Sequence, residues 1–324
     1  MIKNILITRE IPHSAVLMLQ ERGYVVDVNK QDKILNQQEI IDLLKQKPYD
    51  AVITLLTDKI DKNIFDASPT VKIFSNYASG YDNIDVIEAK ARGIVIANAP
   101  TELSSFAVAQ HTIGMILALA NRTVEADRFV RLGKYVGWEP MGFLGTDISG
   151  KIIGLVGDGR IGESVAKFCK GLGFKIIYTD IHRNKKLEDE LGAVFYESLE
   201  ELLPMADFVS LHVPLLPSTK HLLNEKTLRL MKHTSFLINT SRGGVIDEIA
   251  LEKILKEKVI AGAALDVFEF EPKISSNLLE LENVVLTPHI ASANLDAREA
   301  MASMAAQNII DFDEGKELKN IINK

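Results

Sequence analysis

The stretch KIIGLVGDGRIGESVAKFCKGLGFKIIYTD (residues 151–180) decides how the chain is read. An apolar run with Ile152, Ile153 and Val156 stops at Gly157-Asp158-Gly159-Arg160-Ile161-Gly162, a G-x-G-x-x-G spacing. A helical pattern follows, with Val165, Cys169 and Leu172 on one face, and a second apolar run ends at Asp180. Glycines here allow a tight turn and bring backbone N–H groups at a helix N-terminus close to a pyrophosphate. Asp180 lies 18 residues beyond Gly162, where an acid can accept the hydroxyls of an adenosine ribose and repel a 2′-phosphate. The glycine spacing alone is weak evidence, but strand, turn, helix and acid in one register predict a dinucleotide-binding βαβ unit. Asp180 favours NAD(H) over NADP(H), although Arg183, Lys185 and Lys186 follow closely enough to hold a phosphate. Cys169 reads as core.

Outward from this unit, apolar runs alternate with helical patterns. Downstream lie AVFY (193–196), DFVSLHV (207–213), SFLINT (235–240), IAGAALDVF (260–268) and VVLTPH (284–289). Upstream lie ILIT (5–8), YVVDV (24–28), AVITLL (51–56), VKIFSNY (71–77) and GIVIANA (93–99). Helical patterns near 14–22 and 37–46 separate the first three of these, and a short one separates the last two. Such alternation predicts an α/β fold with two doubly wound parallel sheets. Long helical stretches cover about 101–121 and on to about 133, ahead of the loop GWEPMGFLGTD, and the tail from about 294 to 313 reads as one amphipathic helix.

Bulk properties agree with a globular two-domain chain. It has 324 residues, 47% hydrophobic and 25% charged, with a net charge of −7. The acidic balance argues against nucleic-acid or anionic-membrane partners. A single cysteine rules out an intrachain disulfide and suits a reducing compartment. The N-terminus lacks the apolar core and cleavage site of a signal peptide. FAVAQHTIGMILALA (106–120), interrupted by Gln110 and His111, is read as a buried helix that falls short of a membrane span. The expected address is the cytoplasm. The seven histidines show no metal-ligand spacing with one another or with Cys169, so no metal is expected.

In open α/β sheets, ligands bind at the carboxyl ends of the strands. Arg242 follows SFLINT in TSRGG, Glu271 lies beyond AALDVF in FEFEP, and His289 follows VVLTP. Taken singly, these fit a turn arginine, a loop acid before proline and a structural histidine. Three such groups at strand ends beside a nucleotide motif point instead to one shared site.

The chain resembles the D-isomer-specific 2-hydroxyacid dehydrogenases over essentially its full length. The resemblance rests on NYASGYDNID (76–85), GLVGDGRIG (154–162), LHVPLLPST (211–219), NTSRGGVID (239–247), AALDVFEFEP (263–272) and LTPHIASA (286–293). GWEPMGFLGTDISGK (137–151) further resembles the glyoxylate and hydroxypyruvate reductase branch. The resemblance implies a Rossmann NAD-binding domain over 101–289 and a flavodoxin-like substrate domain from 1–100 plus 290–324. It implies that Arg242 binds the carboxylate and ketone oxygen of a 2-oxo acid, that His289 donates the proton, and that Glu271 orients the imidazole and favours its charged form. The N–H groups of Ser79 and Gly80 would hold the substrate carboxylate. Gly157, Gly159, Arg160, Ile161 and Gly162 would meet the pyrophosphate and Asp180 the ribose. His212, Pro214 and Thr219 would line the adenosine side, with Thr240 and Asp266 near the nicotinamide. For Asp266, in an apolar strand, a carboxamide partner would account for burial. Members of the family are commonly homodimers built on the cofactor domain.

Departures from the pattern leave these groups in place. Asp158 stands where an apolar residue is frequent, Gln110 where an acid is common and Ala291 where glycine is usual. Ser79, often apolar, and Leu55–Leu56 are positions that could tune substrate size. The expected activity is NADH-dependent reduction of a small 2-oxo acid, glyoxylate or hydroxypyruvate first. A D-lactate dehydrogenase and a 3-phosphoglycerate dehydrogenase are alternatives, although the length leaves no room for the regulatory domain of the latter. An NAD-sensing, corepressor-like binding protein is the reading from another class.

Overall fold

Two parallel sheets organise the computed structural model, which describes residues 1–323. The first part of the chain runs β1 (Asn4–Ile7), α1 (Ser14–Glu21), β2 (Val25–Val28), α2 (Gln37–Leu44), β3 (Ala51–Leu55), α3 (Lys62–Ala67), β4 (Ile73–Tyr77), α4 (Val86–Ala91) and β5 (Val95–Asn98). It continues as α5 (Glu102–Ala120), α6 (Thr123–Arg131), β6 (Ile152–Val156), α7 (Arg160–Gly171), β7 (Lys175–Thr179), α8 (Lys185–Leu191), β8 (Val194–Phe195), α9 (Leu199–Leu202) and β9 (Phe208–Leu211). Then come α10 (Glu225–Leu228), β10 (Phe236–Asn239), α11 (Glu248–Lys256), β11 (Gly262–Leu265), α12 (Ser276–Glu280), β12 (Val284–Leu286) and α13 (Leu295–Asp313). All the strand-like runs read from sequence are strands. The short α3, and α8 to α12 in the later part of the chain, are helices that the apolar pattern did not place.

The chain divides into two compact units, Met1–Ser104 with the segment from Ala293 onward, and Ser105–Ser292. In the first, the strand order is β2-β1-β3-β4-β5, the flavodoxin-like order. Alternation along each strand sends Ile5, Ile7, Ile53, Ile73 and Tyr77 to a core shared with α1 and α13. Leu6, Val52, Phe74 and Ile96 face the opposite core with α2, α3 and α4. The tail helix is less a stripe than a broad buried face, on which Ala297, Ala302, Ala305 and Ala306 are all fully buried. Those small side chains let α13 come close to β4, so that Ser75 Oγ donates to the Ala305 carbonyl at 2.9 Å. Buried Asn308 then joins the layers, donating to the Asn98 carbonyl at 2.8 Å and to Ser75 Oγ at 3.2 Å.

The second unit holds the order β12-β11-β10-β9-β6-β7-β8, the Rossmann order extended by one strand. Ile153, Leu155, Ile176, Tyr178, Phe208 and Ile238 pack on one face against α5 and α7. Val156, Ile177, Val209, Leu211 and Leu237 pack on the other against α9, α10 and α11. As a 19-residue helix, α5 is long and apolar enough to cross a membrane, which corrects the expectation that it falls short. Ala109, Thr112, Met115, Ile116 and Leu119 nevertheless bury one face of it on the sheet, as expected of a core helix. The strand order reverses between β6 and β9, and a ligand crevice opens at the carboxyl ends of such a pair.

Replacing Asn308 by alanine should strip the Asn98 carbonyl and Ser75 of a buried partner. A loss of about 2 kcal/mol is expected, read as a lower urea midpoint with unchanged slope.

Candidate active site

The glycine turn is shaped by contacts that no side chain could tolerate. Gly157, with φ +94°, lies against the His212 backbone, where a Cβ would stand 2.8 Å from the carbonyl carbon and oxygen. A Cβ on Gly162 would meet the Gly157 oxygen at 2.3 Å, so α7 starts directly on the turn. Around Gly159 there is open space, and no side chain caps α7 there. An uncapped helix N-terminus with a clear approach fits a pyrophosphate, with Arg160 and Ile161 on its first turn. The neighbouring His212 is kept neutral: burial lowers its pKa to about 3, and its Nε2 is 2.9 Å from Ser210 Oγ. Thr219 closes the following loop, donating from Oγ1 to the Pro214 carbonyl at 2.6 Å.

Asp180 follows β7 and accepts from the Asp158 N–H at 2.8 Å and the Ile181 N–H at 2.6 Å. Burial alone would raise its pKa; these N–H groups outweigh that and hold it below the usual carboxylate value. Two of the three cations noted downstream are engaged by acids. Arg183 pairs with Glu188 at 2.7 Å and Lys186 with Glu163 at 3.0 Å.

The other polar groups stand at the ends of three adjacent strands, β10, β11 and β12. Asp266, wholly buried after β11, receives Thr287 Oγ1–H at 2.6 Å and Ile290 N–H at 2.8 Å on one oxygen, and Ala291 N–H at 2.8 Å on the other. His111 Nε2 on α5 lies 3.5 Å from the same carboxylate and 3.1 Å from Thr287 Oγ1. These internal donors account for the burial of Asp266, for which the sequence suggests a carboxamide. They outweigh the desolvation that would raise its pKa, and the carboxyl is held below the ordinary value of 3.8. Thr240, behind the same strand ends, shares a 2.9 Å hydroxyl contact with Thr112.

His289 takes the left-handed conformation, φ +54°, directly after Pro288. Its N–H donates to the Asp266 carbonyl at 2.8 Å, which fixes a backbone state that costs a non-glycine residue about 1 kcal/mol. The ring then meets Glu271, with Nδ1 2.9 Å from Oε2, while Oε1 accepts the Phe268 N–H at 3.0 Å. Glu271 is desolvated, yet the His289 contact, the Phe268 N–H and the charge of Arg242 together lower its pKa below 4.5. Arg242 follows β10, with Asn239 Nδ2 donating to its carbonyl at 2.9 Å. Gly243 lies so close to the loop before Glu271 that a Cβ would stand 1.9 Å from the Phe268 carbonyl carbon. Arg242, Glu271 and His289 are thereby gathered in one unit, as their strand-end positions predict.

In the first unit, the Ser79 and Gly80 carbonyls are tied back by Asn98 Nδ2 at 2.6 Å and Asn76 Nδ2 at 2.9 Å. Neither N–H of that turn is used in a hydrogen bond among the described residues. Two arrangements are not evident from the sequence. One is the His111–Thr287–Asp266 group, whose only trace there is a histidine interrupting an apolar helix. The other is a second imidazole–carboxylate pair, His221 Nε2 to Glu269 Oε1 at 2.6 Å. Among the described residues, no group of three His, Cys, Asp or Glu side chains could hold a metal ion.

A Rossmann crevice with an arginine and an imidazole–carboxylate pair at its strand ends defines a dinucleotide-dependent oxidoreductase. The comparisons with known proteins sharpen that class. Residues 113–291 match the NAD binding domain of the D-isomer specific 2-hydroxyacid dehydrogenases. A glyoxylate reductase of Thermococcus litoralis is 47% identical over 324 residues, covering 99% of this chain and 96% of that protein. Among solved structures, the NADPH-dependent glyoxylate/hydroxypyruvate reductase of Sinorhizobium meliloti, bound to NADP and malonate, superposes with a TM-score of 0.86. It is 28% identical and covers 99% of this chain and 97% of that one. D-lactate dehydrogenase of Aquifex aeolicus, bound to NAD and lactic acid, gives a TM-score of 0.85 at 29% identity, with 99% of each chain covered. The chain belongs to the D-isomer-specific 2-hydroxyacid dehydrogenase family and acts as an oxidoreductase on a CH–OH group.

Asp266→Asn should place an N–H₂ against the N–H groups that the carboxylate now accepts. A loss of about 2–3 kcal/mol is expected, together with release of the His289 turn, measured as a lower Tm and a lower kcat. Because the folded pKa of Asp266 is depressed, its stabilisation is complete above 3.8 and fades as the pH falls through the lower folded value. The acid limb of the wild-type stability curve should therefore flatten in the variant.

Proposed function

We propose that this chain reduces a small 2-oxo acid, glyoxylate or hydroxypyruvate foremost, to the D-2-hydroxy acid with NADH, reversibly. The reading is carried by one observation, the His289 Nδ1 to Glu271 contact of 2.9 Å beside Arg242. A bound reduced nicotinamide supplies the hydride. The planar, permanently charged fork of Arg242 binds the carboxylate and the ketone oxygen. With Nδ1 engaged by Glu271, Nε2 is the ring nitrogen that passes a proton to the ketone oxygen and takes it back in the reverse direction. Glu271 holds the ring in place and stabilises its charge, and it stays ionised because its pKa is depressed. In this reading the first unit is the substrate domain, with the Ser79 and Gly80 N–H groups on the substrate carboxylate, and the second is the cofactor domain.

NADH is favoured over NADPH by two features. Asp180 would repel a 2′-phosphate, and nearby Arg183 and Lys186 are committed to Glu188 and Glu163. The malonate- and lactic acid-bound relatives bear NADP and NAD respectively, so both cofactors belong in the test. We further read the protein as a cytoplasmic homodimer built on the second unit. Val136, Trp138 and Met141 are at least three-quarters exposed, and Val130, Leu132, Tyr135 and Leu144 add to the same apolar arm. Light scattering should give twice the 35.9 kDa chain mass, and Trp138→Glu should shift the species toward one chain.

The activity is tested by NADH oxidation with glyoxylate, hydroxypyruvate, pyruvate and 3-phosphohydroxypyruvate, with NADPH in parallel. Tight NADH binding without turnover on any of them would leave a sensor rather than an enzyme. His289→Ala should lower kcat by about 10²–10⁴. Glu271→Gln should lower kcat for reduction, by less than His289→Ala does, because the ring loses the carboxylate that orients it.

A further inference from the structure

At the carboxyl edge of the first sheet, two neighbouring turns are joined by a side-chain amide. Strand β3 runs into a turn over residues 55–58, and the adjacent β4, with Asn76 beside Thr54, runs into the turn that contains Ser79 and Gly80. Asn83, just beyond the second turn, donates from Nδ2 to the Leu55 carbonyl at 3.1 Å and to the Asp58 carbonyl at 2.9 Å. Its Oδ1 accepts from Asn76 Nδ2 at 3.1 Å, and the same nitrogen donates to the Gly80 carbonyl at 2.9 Å. Asn76 is wholly buried, and its Oδ1 accepts the Thr54 hydroxyl at 3.1 Å. Each amide thus uses both of its hydrogens, and neither can flip without setting oxygen against oxygen. The first turn is closed from within by buried Asp58, whose Oδ2 accepts the Leu55 N–H at 2.8 Å and the Thr8 hydroxyl at 2.6 Å.

We propose that Asn83 is a positioning residue for substrate selection. It fixes the turn bearing Leu55 and Leu56 against the turn bearing the Ser79 and Gly80 N–H groups, and so sets how long a 2-oxo acid the site accepts. This rests on the reading of the first unit as the substrate domain. Adjacent strands lie only about 4.8 Å apart, so a retreat of one turn by the width of a methylene is a large fraction of the gap. With the acid's carboxylate held on one turn, Leu55 and Leu56 limit the rest of it only while their own turn stands still. The far ends of the two loops are joined by backbone bonds, Ile60 N–H to the Asn83 carbonyl at 2.9 Å and Asp85 N–H to the Ile60 carbonyl at 2.8 Å. Loss of the Asn83 amide therefore loosens the near ends and leaves the loops paired.

The test is steady-state reduction of glyoxylate and of 2-oxobutanoate, two carbons longer, at saturating NADH by wild type, Asn83→Ala and Asn83→Asp. The quantity read is kcat/KM for glyoxylate divided by kcat/KM for 2-oxobutanoate. It should fall about tenfold in both variants, the discrimination that one methylene provides in an apolar pocket. Asn83→Asp keeps the shape and the acceptor for Asn76 but sets a carboxylate against the Leu55 and Asp58 carbonyls; its added charge acts on both acids alike and cancels in the ratio. The Kd for NADH, read by fluorescence titration, should stay unchanged, because Asn83 and the glycine turn belong to different units. Thr70→Val serves as the control. It removes a hydroxyl that donates to the Tyr49 carbonyl at 2.6 Å before the amino ends of the same two strands, and should lower Tm without moving the ratio. An unchanged ratio in the Asn83 variants, or an equal change in Thr70→Val, overturns the proposal and leaves the activity standing. Absence of turnover on either acid by the wild type brings down the activity reading and this one with it.

Discussion

The Asp266 carboxylate is the constraint on which the site depends. A carboxylate wholly withdrawn from water costs several kcal/mol unless donors surround it. Here the donors are one hydroxyl and two consecutive backbone N–H groups, with an imidazole at the edge. Because Ile290 and Ala291 must aim their N–H groups back at β11, the chain cannot leave β12 in extended form. It turns, and His289 is forced into the left-handed region, where its ring comes to Glu271. One buried charge thus sets the position of a side chain that it does not touch.

The same loops are locked from the other side by steric exclusion. Gly243 lies on the Phe268 carbonyl, so the loops bearing Arg242 and Glu271 share a backbone contact with no side chain between them. His221 adds a tie, because Glu269 is two residues from Glu271 and its pairing at 2.6 Å fastens that loop to the segment after β9. The guanidinium and the imidazole–carboxylate pair are therefore held by backbone geometry rather than by long flexible side chains. Such preorganisation is what proton transfer at a fixed carbonyl requires.

Much of this is legible in the amino-acid sequence alone. Short apolar runs mark every strand, and the glycine spacing with Asp180 marks the turn, because both signals are local. The strand-end placement of Arg242, Glu271 and His289 follows from those runs. What stays hidden depends on groups distant in sequence. Asp266 can be seen as an acid in an apolar strand, but its donors come from 21 to 25 residues later. His111 lies 176 residues from Thr287, and only the packing of α5 on the sheet joins them. Asp158 is visible as a departure from pattern, yet its partnership with Asp180 requires the folded turn. Helix α3, six residues long, is too short for a helical period to emerge.

The return of α13 to the first sheet has a consequence for synthesis. Strands β1 to β5 are complete by Asn98, but Ala302, Ala305, Ala306 and Asn308, which cover one face of them, follow only after the whole second unit. At roughly 5–20 residues per second, a ribosome needs on the order of 10–40 s to make the intervening segment. Throughout that interval the nascent chain carries a parallel sheet whose Ile5, Ile53 and Ile73 face is covered by α1 alone, leaving a sticky surface of the kind chaperones hold. The first unit is thus the first to be translated and the last to close.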